Sequence, residues 1–238
     1  ALTSICVSAL CADVLRPTHA DMAYGPHERQ TLDFYAAKSE GPSPLAIYFY
    51  GGGFVAGDKR RIPVADRDTL LAAGISVAAV NYRHADKVPL PAAFHDGARA
   101  LQYLRSRAAE WNIDKARVAV WGASAGAQIS LYIGCHDDLA DPKSADPVAR
   151  ESTRVTCVGS SGGQTNIEPE WMMKWIPGYT KPDRDVPALF GLRTHAELVP
   201  ALADVMAMSL ISAGDPAVMM TYSMAPGDPV PADPKKVT

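Results

Sequence analysis

The stretch from Arg117 to Cys135 constrains this chain more than any other. A short β-branched run, Arg117–Trp121 (RVAVW), leads without a spacer into GASAGAQISLYIGC, whose composition favours a helix from Ala125 onward. A strand that turns straight into a helix needs a very sharp bend. The residues two before and two after its apex must be glycine or very small if strand and helix are to pass each other, and here they are Gly122 and Gly126. The apex residue is Ser124. Its hydroxyl is expected to project above the sheet at the N-terminus of a helix, whose dipole favours developing negative charge. Ser124 is therefore the candidate nucleophile. The plainer alternative is a glycine-rich strand-to-helix turn with no chemistry.

Around this unit, strands and helices alternate, which predicts an α/β fold: a mostly parallel central sheet with helices on both faces. Thr31–Ala36, Leu45–Tyr50, Ile75–Asn81, Arg154–Gly159 and Ala217–Met224 read as further strands, and Pro91–Arg107 and Ala196–Leu210 as helices. The helix from Pro91 carries apolar residues at Ala93, Phe94, Ala98, Leu101 and Leu104, with a proline suited to its first turn. Residues 160–190, rich in Gly, Pro and Trp, interrupt the alternation and are expected to make a cap-like excursion over the top of the sheet. One domain spanning 1–238 is expected, residues 1–20 being an arm or a signal remnant.

The strand at Leu45–Tyr50 runs into three glycines, Gly51-Gly52-Gly53, directly after Tyr50. An acyl-transfer nucleophile needs backbone N–H donors aimed at the tetrahedral oxyanion, and a side chain there would obstruct close approach. Gly52, Gly53 and Ala125 are the candidate donors, with Gly51 and Tyr50 supporting the loop. A flexible linker is the alternative, but three glycines cost a linker more chain entropy than one turn requires.

Composition excludes several other classes. The formal charge of −3 is spread along 238 residues with no basic stripe, which argues against a nucleic-acid partner. Cys6, Cys11, Cys135 and Cys157 follow no metal-ligand spacing and are too few for a disulfide scaffold, so they point to no metal site. Cys135 and Cys157 read as small core residues. No apolar run reaches the roughly 18 residues needed to span a bilayer. The first residues, ALTSICVSALCA, fit either the tail of an export signal or a first helix, so location is open between export and cytoplasm; oligomeric state is open too.

Taken in order, YGGGF and GDK at residues 50–59, NYR at Asn81–Arg83, PAAFHD at Pro91–Asp96, ARVAVWGASAG at Ala116–Gly126 and SAGDPAV at Ser212–Val218 resemble α/β-hydrolase esterases of the hormone-sensitive-lipase-like and feruloyl-esterase-like group. The resemblance runs from about Tyr24 to Pro231. It implies a carboxylic ester hydrolase that forms an acyl-enzyme on Ser124 and acts on small-molecule esters of small to medium acyl chains, without a cofactor. Related chemistries on the same machinery are carbohydrate deacetylation, feruloyl release and peptide cleavage. Where that group usually has histidine before the glycines, this chain has Tyr50, whose hydroxyl is expected to brace the loop. Ala127 replaces a further glycine.

The resemblance also orders the remaining catalytic residues as acid, then histidine. Two aspartates compete for the acid. Asp228 follows the last strand, where the group carries its acid, although PGDPVP at residues 226–231 is one residue shorter than the usual turn; Asp215 stands where the group has a structural turn residue. No histidine follows Asp228. The general base and one more strand and helix are therefore expected beyond Thr238, the chain being incomplete at that end. A fold-retaining binding protein that has lost its base is the competing reading. Arg83 and Asp96 are expected to pair. Trp171 and Trp175, four apart on one helical face, either anchor the excursion to the core or wall a substrate pocket.

Overall fold

The computed structural model describes residues 15–182 and 184–222. A sheet of seven strands runs through it in the order β1-β2-β4-β3-β5-β6-β7. The strands are β1 (His19–Ala23), β2 (Thr31–Tyr35), β3 (Ser43–Phe49), β4 (Ser76–Val80), β5 (Ile113–Ala123), β6 (Cys157–Ser161) and β7 (Ala217–Thr221). β2 is antiparallel to both β1 and β4, and from β4 to β7 every pairing is parallel.

Parallel strands need crossover helices, and right-handed crossovers fix the faces on which those helices lie. From β3 the chain steps one way to β4 through α1 (Val64–Ala72), then reverses past β3 to β5 through α2 (Ala92–Ser106). Reversal of direction puts α1 on one face and α2 on the other. α3 (Ala125–Cys135) continues in the direction of α2, packs against it and is buried at all eleven positions. The reversal makes β3 the switch point of the sheet. In open α/β sheets, ligands bind in the crevice at the carboxyl ends of the strands flanking that point. Here those ends are Tyr50–Gly53 after β3 and Gly122–Ser124 at the end of β5.

β3 and β4 occupy the middle of the sheet, and their apolar runs (Leu45, Ile47 and Phe49; Val77 to Val80) are fully or nearly fully buried, as parallel strands covered on both faces must be. The expected ion pair is present: the Arg83 guanidinium meets Asp96 at 2.6 Å, and the backbone N–H of Arg83 donates to the same carboxylate at 2.8 Å. Gln30 Nε2 adds a third donor at 2.8 Å, so Asp96, only 1% exposed, is fully engaged. This cluster fastens the end of β4 to the start of α2, directly below the crevice.

Several expectations need correction. The helix expected over Ala196–Leu210 is broken into α6 (His195–Ala203) and α7 (Ala207–Leu210), with Met206 extended between them. A straight helix would bury one face; the break lets Val205, Met206 and Ala207, consecutive in sequence, all enter the core beside Leu198 and Leu202. β6 is shifted toward its carboxyl end, because its register pairs Ser160 and Ser161 with Gly122 and Ala123 of β5. Cys157 is exposed rather than a core residue, whereas Cys135 is buried, and burial pushes its thiol up to about 11. His19, expected in an arm, lies in β1 with its ring stacked 4.6 Å from that of Trp111. The expected strand at Ala217–Met224 is β7 as far as Thr221. Residues 1–14, including Cys6 and Cys11, and residues 223–238, including Asp228, lie outside the described residues.

Candidate active site

Ser124 stands between the end of β5 and the first residue of α3, with φ 51° and ψ −119°. A non-glycine residue there is strained by about 1–3 kcal/mol and persists only where its surroundings enforce it. Close packing supplies the enforcement. A methyl group on Gly126 would stand 2.0 Å from the Phe49 carbonyl oxygen, and one on Gly122 would stand 2.5 Å from the carbonyl carbon of Gly126. β3, β5 and α3 thus cross in backbone-to-backbone contact. The N–H of Ser124 donates to the Ser161 carbonyl at 2.9 Å, which ties the turn to the end of β6. Ala125 opens α3, so its N–H is among the first-turn donors that a helix leaves unpaired.

The glycine loop lies against this turn. A methyl on Gly51 would come within 2.8 Å of the Ala123 carbonyl and 3.2 Å of Ser124 Cβ. Gly52 (φ 145°), Gly53 (φ 60°) and Phe54 (φ 65°) then take successive positive φ angles, and the Gly52 carbonyl accepts from the N–H groups of Val55 and Ala56, both at 3.1 Å. Among the described residues, no hydrogen bond uses the N–H of Gly52 or Gly53. Phe54 is fully buried, and its carbonyl accepts from Ala85 N–H at 2.7 Å, pinning the loop to the segment after β4. The structure therefore brings Ser124, Ala125 and Gly51–Gly53 together at the switch point.

Tyr50 braces the loop by another route than a direct bond to the glycines. Its fully buried ring stacks 4.4 Å from Tyr82 and covers Gly57, where an added methyl would meet the ring at 2.3 Å. The hydroxyl accepts from Arg29 Nη2 at 2.6 Å and shares a second hydrogen bond with Nε2 of His84 at 3.2 Å, its direction set by the imidazole tautomer. Arg29 can only donate, so the hydroxyl is its acceptor. Burial, and next the Arg29 charge, lower the His84 pKa, which favours the neutral imidazole. Burial raises the Tyr50 pKa against the opposing pull of Arg29. Arg29 also donates to the Gly57 carbonyl at 3.1 Å, so the tyrosine supports the far end of the loop through its partner. Sequence reasoning missed Arg29 and His84 in this role, since nothing in their spacing ties them to Tyr50.

Asp215, the competing acid, is engaged in a turn: its carboxylate accepts from the N–H and the hydroxyl of Ser212, each at 2.8 Å. All six histidines of the sequence are described, and none hydrogen-bonds to the Ser124 hydroxyl. His195 instead meets Glu168 at 2.5 Å. Trp171 and Trp175 lie on α4 (Pro169–Trp175), in the excursion. Trp175 is 60% exposed, with Lys174 Nζ 4.9 Å over its ring, so it does not anchor the helix to the core. A cavity of about 750 Å³ lies elsewhere, between α1 and the β5–β7 side of the sheet, and includes neither tryptophan nor Ser124. Among the described residues, no cluster of three or more His, Cys, Asp or Glu is arranged to hold a metal ion, and no helix is long and apolar enough to cross a membrane.

A mostly parallel sheet with a strained serine between strand and helix, and a bare glycine loop at the neighbouring strand end, is the arrangement of the α/β-hydrolases. Residues 32–228 match the BD-FAE family model, and the chain belongs to that family. Similar proteins include esterase LipI of Mycobacterium tuberculosis (strain ATCC 25618 / H37Rv), 36% identical over 91 residues, which are 38% of this chain and 28% of that protein. Carboxylesterase NlhH of M. tuberculosis (strain CDC 1551 / Oshkosh) is 40% identical over the same proportions of each. The chain thus spans under a third of the length of these curated relatives. Among solved structures, a truncated carbohydrate esterase from gut microbiota matches with a TM-score of 0.69 at 21% identity, over 86% of this chain and 75% of that one. The acetyl ester-xyloside bifunctional hydrolase of Caldicellulosiruptor lactoaceticus matches with a TM-score of 0.69 at 23% identity, over 88% and 75%. At these identities the structures attest to a shared fold.

Proposed function

We propose that the protein is a serine hydrolase of carboxylic esters, with Ser124 as nucleophile and the N–H groups of Gly52, Gly53 and Ala125 as the oxyanion hole. The observation that carries this reading is the strained Ser124 backbone at the head of α3, with the glycine loop packed against it. Ser124 Oγ attacks the ester carbonyl carbon while its proton passes to a histidine base, and the carbonyl oxygen becomes an oxyanion held by the three N–H groups. Collapse expels the alcohol, which takes the proton from the histidinium. Water, deprotonated by the same histidine, then attacks the acyl-enzyme and releases the acid.

In this reading Asp228 orients the histidine base; none of the six histidines of the sequence hydrogen-bonds to Ser124. The turn that occupies Asp215 supports that choice of acid. Relatives named esterase and carboxylesterase, and structural neighbours titled carbohydrate esterase and acetyl ester hydrolase, favour small to medium acyl esters, carbohydrate acetates included.

Hydrolysis of p-nitrophenyl acetate and butyrate by the wild type and by Ser124→Ala tests the reading, with fluorophosphonate labelling mapped by mass spectrometry. Ser124-dependent turnover and labelling at Ser124 are expected. A protein no more active than the variant, and unlabelled at Ser124, is instead a fold-retaining binding protein.

A further inference from the structure

All eleven residues of α3 are buried, and Gln128 is the one among them that carries a side-chain amide. Its Nε2 donates to Gln164 Oε1 at 2.6 Å, whereas its own Oε1 is buried with no hydrogen-bond partner among the described residues. The Ser130 hydroxyl of the same helix, by contrast, donates to the Gly126 carbonyl at 2.9 Å. A buried acceptor without a donor costs stability, and an apolar side chain of the same length would avoid that cost. Packing therefore does not explain the amide. Its single bond to Gln164 does.

That bond closes a circuit around the nucleophile turn. Gln164 stands three residues beyond Ser161, whose carbonyl accepts from the N–H of Ser124 at 2.9 Å. The N–H of Gln128 donates to the Ser124 carbonyl at 3.0 Å. Gln128 thus holds Ser124 through its backbone and, through its side chain, holds the loop that gives Ser124 its other backbone partner. Gly163 lies flush on α3, where an added methyl would stand 2.7 Å from Ala127 Cβ. On its far side the loop is bonded to β7 and the residue after it: Gly162 N–H donates to the Thr221 carbonyl and the Tyr222 hydroxyl to the Gly163 carbonyl, each at 2.8 Å. Residues 161–164 therefore couple the turn to β7, the strand after which Asp228 follows in the sequence.

We propose that Gln128 is a positioning residue, which through Gln164 keeps Ser124 in its strained, productive backbone conformation. This rests on the serine-esterase reading above and adds to it a residue that touches no substrate. A strained conformation persists only while its surroundings enforce it. Loosening residues 161–164 would let the Ser124 N–H turn away from Ser161, and displacing a nucleophile by about an ångström lowers turnover steeply.

Three variants test this: Gln128→Met, Gln164→Met and the two combined, all lacking the same hydrogen bond. In each, kcat on p-nitrophenyl butyrate is expected to fall about tenfold, with KM within about twofold of wild type. Stability should follow a different order. Gln164→Met leaves the buried Gln128 amide unpaired at both ends and should melt lowest, whereas Gln128→Met and the double variant remove that amide and should melt no lower than wild type. A merely structural glutamine would make kcat follow the melting temperature. Unchanged kcat in Gln128→Met, or a loss in the double variant that multiplies the two single losses, overturns the proposal.

Hydrogen exchange resolved at residues 124–127 and 161–164 separates this from the reading beneath it. If the wild type turns over no ester, the esterase reading alone falls, and exchange still decides on Gln128. Exchange of the Ser124 amide about fivefold faster in Gln128→Met, with the β3 amides unchanged, upholds the proposal. Equal exchange in the two proteins overturns it.

Discussion

Arg29 Nη2 stands 2.6 Å from the Tyr50 hydroxyl and 3.1 Å from the Gly57 carbonyl oxygen, so one guanidinium joins the residue before the glycine loop to the residue that closes it. Its Nε also donates to the Tyr82 carbonyl at 3.0 Å, which ties the loop to the end of β4.

Removing the hydroxyl tests how far this junction matters. In Tyr50→Phe the ring keeps its stacking on Tyr82 and its contact with Gly57, but one half-buried charged donor is left without its partner. A loss of about 1–2 kcal/mol in unfolding free energy is expected. Arg29→Ala strips donors from two backbone carbonyls and the hydroxyl together, and should cost about 2–3 kcal/mol. Urea denaturation of the two variants checks the order; equal stability of Arg29→Ala and wild type would mean that water replaces the guanidinium.

Ser124 invites a comparison of alanine with glycine. Both lack the hydroxyl, and both should be inactive toward p-nitrophenyl esters. They differ in backbone, because glycine adopts φ 51°, ψ −119° without the strain of about 1–3 kcal/mol that any Cβ incurs. Glycine loses about 0.5–1 kcal/mol through its more flexible unfolded chain. Strain is the larger quantity, so Ser124→Gly should melt above Ser124→Ala by about 1 kcal/mol in unfolding free energy. A lower melting temperature for the glycine variant would show that the turn is relaxed.

The strand–turn–helix around Ser124 and the glycine loop were legible in the sequence because both are local. Each follows from steric demands that a few neighbouring residues must meet, and glycine spacing records those demands. The Arg83–Asp96 pair was legible only through resemblance. Arg29 was not legible at all: a surface-type arginine on a loop carries no periodicity, and it acquires its role from segments far away in sequence. The break between α6 and α7 was hidden for a different reason. Apolar residues continue through it, and only the packing of Val205 and Met206 dictates the turn.

Two glycines near the serine should respond differently to the same substitution. In Gly126→Ala the new methyl would lie 2.0 Å from the Phe49 carbonyl oxygen, a backbone atom that cannot yield without parting β3 from α3. Loss of soluble folded protein is expected. In Gly53→Ala the nearest atom is the end of the flexible Arg184 side chain at 3.3 Å, and the remaining cost is an alanine at φ 60°, about 1 kcal/mol. That variant should fold and, because alanine keeps the backbone N–H, lose less kcat/KM than the about 10²-fold that removal of an oxyanion donor costs. Circular dichroism together with p-nitrophenyl butyrate kinetics separates the two; failure of Gly53→Ala to fold would mean that the Arg184 side chain cannot yield to the methyl.

The His195–Glu168 pair should make the excursion sensitive to pH. His195 Nε2 lies 2.5 Å from Glu168 Oε1, and Nδ1 lies 3.5 Å from Glu170 Oε1, so a protonated ring bridges two carboxylates at the start of α4. The hydrogen bond to Glu168 raises the His195 pKa above its ordinary 6.5. Burial alone would raise the Glu168 pKa, but the bond from His195 and the N–H groups of Glu170 and Trp171 outweigh it and lower that pKa below 4.5. A raised histidine contributes stability that is complete below 6.5 and is lost as pH rises through the folded value. A lowered carboxylate contributes stability that is present above 4.5 and is lost as pH falls through its folded value. The two overlap between about pH 4.5 and 6.5. In His195→Gln the α4 segment should therefore be looser than in wild type across that window, and the difference should shrink toward pH 8 and above. Hydrogen exchange at Trp171–Trp175 in both proteins, measured at pH 5.5 and pH 8.5 and corrected for intrinsic rates, reads this directly. A difference that is the same at both pH values would mean that the ring acts by packing and not by charge.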